Sequence, residues 1–148
     1  MQTYPHTYVA GAAAGASGAV TVESPGLARI PSAPPAQFGG PGDLWSPETL
    51  LCAALADCFV LTFRAVSRAA RFEWSALDCK VEGILDRVEG TTRFVRYKTS
   101  AELRVAPGAD VEKARQLLER AEKGCLIAAS LLGERELVAQ VRVEGAAA

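Results

Sequence analysis

The sequence has almost no net charge and lacks a basic excess. Its 16 Lys and Arg residues are balanced by 17 Asp and Glu residues, which gives a formal net charge of −1. Proteins that bind nucleic acids or anionic membranes through electrostatic attraction usually carry a strongly basic surface. The composition therefore argues against nucleic acid or a membrane as the main partner, and it favours a small molecule or another protein.

Metal-binding sequence patterns are also missing. The four cysteines, at positions 52, 58, 79 and 125, form no CxxC pair, and the single histidine, His6, has no partner motif. Structural zinc sites need several closely spaced Cys or His ligands. We therefore expect no metal ion and no cofactor. In a reducing cytoplasm such cysteines are either buried packing residues or members of a transient redox pair.

No secretory signal is visible, because the N-terminus lacks both a basic region and an apolar stretch. The one long apolar segment, residues 46–70, carries Asp57, Arg64 and Arg68, which a membrane span disfavours. A chain of 148 residues can bury the core of one domain but is short for two. We therefore predict a cytoplasmic protein with a single domain over residues 1–148.

The first 45 residues predict short strands and a loop. Runs typical of β-strands at 7–10, 19–23 and 27–30 alternate with turns, which indicates a small antiparallel meander. The glycine-rich segment 11–18 lacks the GxGxxG spacing of a nucleotide-binding loop, and we interpret it as a flexible hairpin tip. Residues 31–45 are rich in Pro and Gly and predict a loop that leads into a helix.

A central helix is predicted from Ser46 to about Ala70. Ser46 is a good N-cap, Pro47 suits the first helical position, and Glu48 lies at the positive end of the helix dipole. Apolar residues cover two faces of this helix: Leu51, Leu55, Cys58, Thr62 and Val66 on one, and Leu50, Ala54, Leu61 and Ala65 on the other. One small chain cannot easily cover both faces, so we predict a homodimer.

The rest of the chain predicts three strands and two helices. Segments 79–86 and 93–105 form the clearest hairpin, because apolar and polar residues alternate along the second of them. Asp110 can cap an amphipathic helix that stops at Gly124, and a short helix follows with Cys125 in its first turn. A last strand at 137–143 precedes a frayed tail. This order of elements predicts an α+β fold.

Two thiols occupy positions that suit reactivity. Cys58 lies in the middle of the central helix, and Cys125 lies at a predicted helix start, where unpaired N–H groups favour a thiolate. Position alone does not distinguish a reactive pair from a set of four cysteines that only pack.

The segments FGGPGDLWSPETLLCAALADCF and EKGCLIAASL resemble the OsmC/Ohr family of organic hydroperoxide reductases. The shared features are a Phe-x-Gly loop, a Pro-Glu helix start, a Cys ten residues after that Glu, and a later Cys followed by a short apolar helix. The resemblance covers residues 6–144. It implies antiparallel sheets wrapped around long central helices in an intertwined homodimer.

The resemblance also implies residue roles. Cys58 becomes the peroxidatic thiol, Cys125 the resolving thiol, and Glu48 the carboxylate that orients the site. The implied cycle oxidises Cys58 to a sulfenic acid with an organic hydroperoxide, closes a Cys58–Cys125 disulfide, and uses an external dithiol or lipoyl-type reductant. The implied substrate pocket is apolar and is lined by Phe38, Leu51, Leu55 and Phe59.

One family feature is absent from the sequence. The family also uses an arginine to stabilise the thiolate, supplied by the N-terminal glycine-rich loop or just before the Phe-x-Gly, where this chain has Ala16, Ser17 and Gln37. A buried thiol without a nearby cation keeps a raised pKa and reacts slowly. The candidates for a substitute are Arg29, Arg93 and Arg96.

Two interpretations follow from the missing arginine. Either the chain is a peroxidase with a replaced activating group, or the same dimer binds a small hydrophobic ligand without turnover. Cys52 and Cys79 match no family thiol, and we interpret both as packing residues.

Overall fold

The computed structural model describes residues 3–145 and divides into two compact units, Met1–Leu50 and Leu51–Ala148. The single-domain assignment therefore stays a prediction. Of the predicted frayed tail, the last three residues lie outside the described part of the chain.

The first unit contains the expected antiparallel meander, with strands β1 (Gly11–Ala13), β2 (Val20–Glu23) and β3 (Ile30–Ser32) in that order. Two strand positions were wrong, since β1 follows the predicted run at 7–10 and β3 begins where the run at 27–30 ends. β1 lies in the glycine-rich segment because pairing with β2, from Gly11 opposite Glu23 onwards, outweighs the weak strand propensity of Gly and Ala. The segment that we interpreted as a hairpin tip is thus partly strand.

The loop after β3 is folded back against that strand. The backbone N–H of Ala33 donates to the carbonyl of Trp45 at 2.8 Å. Gly40 has no room for a side chain, because a Cβ there would overlap the carbonyl of Pro34. The loop therefore ends at a fixed point, directly before the helix.

Helix α1 spans Pro47–Ala69 and confirms the predicted central helix. Ser46 caps it as expected: its Oγ accepts from the Thr49 N–H at 3.2 Å, and the Thr49 Oγ1 accepts from the Ser46 N–H at 2.9 Å. This reciprocal pair is a capping box in which Thr replaces the usual Glu or Gln.

The second unit holds β4 (Ala76–Val88), β5 (Thr91–Val105), α2 (Val111–Gly124), α3 (Leu126–Ala129) and β6 (Glu134–Val143). Strands β4 and β5 form the predicted hairpin, whereas β6 pairs with β5 in parallel, so this sheet is mixed rather than purely antiparallel. A parallel pair needs a long crossover, and α2 with α3 provides it. The α+β class is confirmed.

The core of this unit lies between α1, α2 and the sheet. Phe59 and Phe63 of α1 pack against buried residues of β5 and α2, among them Leu103 and Leu118. Trp74 meets Phe63 edge to face, and its indole N–H donates to Ser67 Oγ at 3.0 Å. These contacts hold one side of α1 against the sheet.

The other sides of α1 are largely exposed in a single chain. The buried residues form one stripe along the helix: Leu55, Phe59, Phe63 and Ser67. Leu61 is 51% exposed. By length and composition alone the helix could cross a membrane, and 17% of its most apolar 18-residue segment is buried within the chain. The expected burial on all sides is thus not achieved within one chain, and the homodimer stays a prediction.

The packing predicts that Leu→Ala lowers the free energy of unfolding by different amounts at two positions. Leu118 is 0% exposed and Leu132 is 75% exposed. Leu118→Ala should lower the free energy of unfolding by about 2–5 kcal/mol because it leaves a cavity in the core. Leu132→Ala should change it by less than about 0.5 kcal/mol. Urea unfolding measures both, and equal losses would contradict the described core.

Candidate active site

The structure brings Cys58 and Cys125 together. Cys58 lies in the middle of α1 and is half-buried, whereas Cys125 lies between α2 and α3 and is 1% exposed. Both are free thiols, and they lie close enough for each to shift the pKa of the other. Two cysteines 67 positions apart in the chain therefore share one site.

The local backbone fixes the position of the Cys125 sulfur atom. Helix α2 ends at Gly124, where an added Cβ would come within 3.3 Å of the Thr62 methyl group on α1. Cys125 then adopts an extended conformation and acts as the N-cap of α3, with its Sγ 3.5 Å from the N–H of Ala128. Cys125 therefore lies one position before the first turn of α3, and not within that turn as we had predicted.

Hydrogen bonds make Cys58 the more acidic thiol. Burial alone would raise the pKa of Cys58, but the Cys125 thiol, the backbone N–H of Ile127 and the Thr62 hydroxyl outweigh it and lower the pKa below the usual thiol value. The Thr62 Oγ1 lies 4.0 Å from the Cys58 Sγ. Donors that point at a sulfur favour its charged form.

The pKa of Cys125 moves in the opposite direction. Burial raises it to about 11, and the hydrogen bond to Cys58 adds to this rise because Cys125 acts as the donor. The pair therefore consists of one nucleophilic sulfur and one sulfur that keeps its proton at neutral pH.

Glu48 lies on the same helix as Cys58 but in its first turn. Ten residues of helix separate the two, which corresponds to about 15 Å. The Glu48 Oε2 is buried and has no hydrogen-bond partner among residues 3–145. A buried, unpaired carboxylate oxygen is costly, so it indicates a partner outside the described residues.

The three candidate arginines do not act on Cys58 within the described residues. Arg29 pairs with Glu23 at 3.0 Å, and Arg96 pairs with Glu134 at 3.3 Å; both guanidinium groups are exposed. Arg93 is exposed and lies opposite Asp86 in the β4–β5 hairpin. The interactions that lower the pKa of Cys58 come from Cys125, Thr62 and the backbone of α3.

The residues expected to line a substrate pocket differ in exposure. Leu55 is 4% and Phe59 2% exposed, so both belong to the core, while Leu51 is half-buried beside Leu55. Phe38 lies in the first unit and is 59% exposed. Within one chain, Leu55 and Phe59 line a cavity of only ≈ 10 Å³, which is too small for an organic hydroperoxide.

The remaining cysteines, Cys52 and Cys79, have raised rather than lowered pKa values. Cys52 packs over Gly83, where a Cβ would come within 2.9 Å of the Cys52 Sγ, and burial raises its pKa. Burial also raises the pKa of Cys79 to about 11. Neither thiol has the donors that lower the pKa of Cys58.

Sequence reasoning missed one ionic contact near Cys125. Arg135 at the start of β6 pairs with Glu122 in the last turn of α2 at 3.3 Å, and both residues line the ≈ 10 Å³ cavity together with Cys125. No motif marks this pair, because it depends on the crossover that returns the chain to the parallel strand β6.

Residues 40–138 of the chain match the family described as OsmC-like protein. The chain is a member of the OsmC-like family. It is also 30% identical over 127 residues to the uncharacterized protein YmaD of Bacillus subtilis, which covers 84% of each chain. The suspected family is thereby confirmed.

Solved structures show the same fold. An OsmC-like protein of unknown function from Vibrio cholerae superposes with a TM-score of 0.80 at 18% identity, over 93% of this chain and 100% of that one. A putative organic hydroperoxide resistance protein from Vibrio cholerae, with captopril bound in one of its active sites, gives 0.70 at 26% identity, over 100% and 97%.

In this OsmC-like protein, the pH dependence of Cys58 alkylation tests whether hydrogen bonds lower the pKa of Cys58. The alkylation rate should level off at a lower pH for Cys58 than for an ordinary thiol, because the thiolate fraction saturates above the pKa. Cys125→Ala should shift this curve to higher pH, since it removes a donor that stabilises the thiolate. Rates are read by peptide mass spectrometry after iodoacetamide pulses.

The matched controls are Arg29→Met, Arg93→Met and Arg96→Met. A shift in the Cys58 curve with one of these variants, but not with Cys125→Ala, would contradict the hydrogen-bonded account and identify a substitute arginine.

Proposed function

We propose that this OsmC-like protein is a thiol-dependent peroxidase that reduces organic hydroperoxides to alcohols in the cytoplasm. The observation that carries the proposal is that Cys58 and Cys125 lie close together, with the pKa of Cys58 lowered and that of Cys125 raised by their interaction. Perturbed thiols in contact with each other are typical of redox sites rather than of packing. Fold-matched proteins named for organic hydroperoxide resistance support the same function.

The proposed cycle has three steps. The Cys58 thiolate attacks the terminal oxygen of ROOH, the O–O bond breaks, and the alcohol leaves with a proton, so that Cys58 becomes a sulfenic acid. Cys125 then attacks that sulfur, which releases water and forms the Cys58–Cys125 disulfide. An external dithiol or lipoyl-type reductant restores both thiols.

A second copy of the chain would complete the site. Glu48 lies about 15 Å along the helix from Cys58 of its own chain, its Oε2 is buried without a partner among the described residues, and Leu61 leaves an apolar face exposed. A homodimer formed across α1 covers that face and allows Glu48 to act on the partner's site. It also provides room for an apolar substrate pocket that includes Phe38 and Leu51.

Ligand binding without turnover is the second candidate. It is favoured by one observation, that no candidate arginine acts on Cys58 within residues 3–145. A binder would keep its free thiols in the presence of hydroperoxide, whereas a peroxidase would lose two thiols per chain.

The two central thiols should behave asymmetrically in turnover. Cys58→Ser should abolish the reaction with cumene hydroperoxide. Cys125→Ser should reduce about one equivalent and then stop as a sulfenic acid, which dimedone traps on Cys58. Cys52→Ser and Cys79→Ala are the matched controls and should turn over like the wild type. Wild-type behaviour of both central variants would exclude the peroxidase.

Glu48→Gln should slow hydroperoxide consumption by about one to three orders of magnitude, because it removes a preorganised charge from the site. The shape of the side chain is preserved, so the unfolding curve should change little. Glu112→Gln, in the exposed first turn of α2, serves as the control. An unchanged rate would show that Glu48 only serves the helix end.

A further inference from the structure

Cys125 faces a proton-transfer problem that the cycle above leaves open. It must lose its proton to attack the oxidised Cys58, yet its side chain is 1% exposed. Burial is the largest cause of its raised pKa, and burial persists when Cys58 is oxidised. The thiolate of Cys125 is therefore a minor form at neutral pH. An efficient second step therefore requires a proton acceptor beside Cys125.

The titratable groups around Cys125 come from five elements: Cys58 on α1, Cys79 on β4, Tyr97 on β5, Glu122 on α2 and Arg135 on β6. Cys58 is already oxidised when this step begins, so it cannot serve as the proton acceptor. Cys79 has a pKa raised to about 11, and burial also raises the pKa of Tyr97, so both keep their protons. Arg135 is a cation. Among the groups that the structure describes here, the Glu122 carboxylate is the one able to accept a proton.

Glu122 is held next to Cys125 by two contacts. Its backbone carbonyl accepts from the Cys125 N–H at 3.4 Å, and its Oε1 lies 3.3 Å from the Arg135 Nε. The Glu122 side chain is 19% and that of Arg135 38% exposed. Arg135 is in turn fixed by its register opposite Tyr97 in the sheet. The carboxylate is thus confined to the end of α2 from which Cys125 projects.

The cavity that Glu122 and Cys125 share has the size of one water molecule. It measures ≈ 10 Å³, and Thr99, which carries a hydroxyl group, is also among its lining residues. A buried water needs about this much space and two to four polar partners. The thiol, the carboxylate and the hydroxyl meet that requirement, so one water can connect the sulfur with the carboxylate.

We propose that Glu122, positioned by Arg135, accepts the Cys125 proton through a water molecule in this cavity while Cys125 attacks the Cys58 sulfur. In the peroxidase cycle the S–S bond forms as the S–O bond breaks. The thiol proton passes to Glu122, and the leaving hydroxide takes a proton from solvent and departs as water. The proposal rests on the proposed function for the oxidation of Cys58, but the step itself is measurable without a peroxide.

Dithiobis(nitrobenzoate) provides that measurement in a Cys52→Ser, Cys79→Ala background. Cys58 reacts first and releases one nitrobenzoate thiolate as it forms a mixed disulfide. Cys125 then attacks the Cys58 sulfur, releases the second thiolate and loses its proton. The second phase reports the attack of Cys125, and the first phase serves as the internal reference for folding and for the reactivity of Cys58.

Glu122→Gln should slow the second phase by about 10²-fold or more relative to the first. Its rate should then rise with pH, approaching tenfold per pH unit, because only the spontaneously formed thiolate reacts below the raised pKa of this buried thiol. Formate or acetate at constant ionic strength should partly restore the rate at neutral pH. Glu122→Asp should be intermediate, since it keeps a carboxylate. Glu119→Gln, one turn earlier on α2 and exposed, should leave both phases unchanged.

Two results would overturn the proposal. The first is a second phase of Glu122→Gln with wild-type rate and pH dependence. The second is a slowed phase that keeps the wild-type pH profile and that small carboxylates do not rescue, since this would show a structural role. If hydroperoxide failed to oxidise wild-type Cys58, the proposed peroxidase function would be refuted but the role of Glu122 would not. The release of the second nitrobenzoate thiolate tests Glu122 independently of any peroxide.

Discussion

The site depends on the interaction between the Cys125 and Cys58 thiols. It lowers the pKa of Cys58 and raises that of Cys125, so the two pKa values move in opposite directions. Burial alone raises the pKa of a thiol, and at Cys58 hydrogen bonds reverse that effect. The backbone N–H of Ile127 and the Thr62 hydroxyl act on Cys58 in the same sense, so the activation comes from hydrogen bonds rather than from a cation within the described chain.

Two parts of the fold hold Cys58 and Cys125 close to each other. α1 is held on the sheet by its buried stripe from Leu55 to Ser67, which fixes Cys58. α2 and α3 form the crossover to the parallel strand β6, and Cys125 lies within this crossover, between the two helices. The Glu122–Arg135 pair joins α2 to β6 at the two ends of the same crossover, so the elements that position Cys125 also place a carboxylate near it.

Much of this arrangement was predictable from local signals. Ser46 and Pro47 marked the start of α1, Asp110 marked that of α2, and alternation from Val95 to Val105 marked β5, because caps and periodicity act within a few residues. The family motif identified Cys58 and Cys125. The parallel pairing of β6, the position of β1 and the Glu122–Arg135 pair were missed because each depends on contacts between distant segments. The exposed face of α1 agrees with the expectation that one small chain cannot cover both apolar faces of this helix, and the homodimer that would cover it stays a prediction.

The central claim is that Cys58 and Cys125 form one redox unit, and disulfide mapping tests it most directly. The reduced protein is treated with one equivalent of cumene hydroperoxide, quenched with iodoacetamide and digested for mass spectrometry. The account predicts the loss of two hydrogen atoms per chain and a disulfide-linked pair of peptides that contain Cys58 and Cys125, with Cys52 and Cys79 alkylated. Four alkylated cysteines, or a disulfide that involves Cys52 or Cys79, would contradict it.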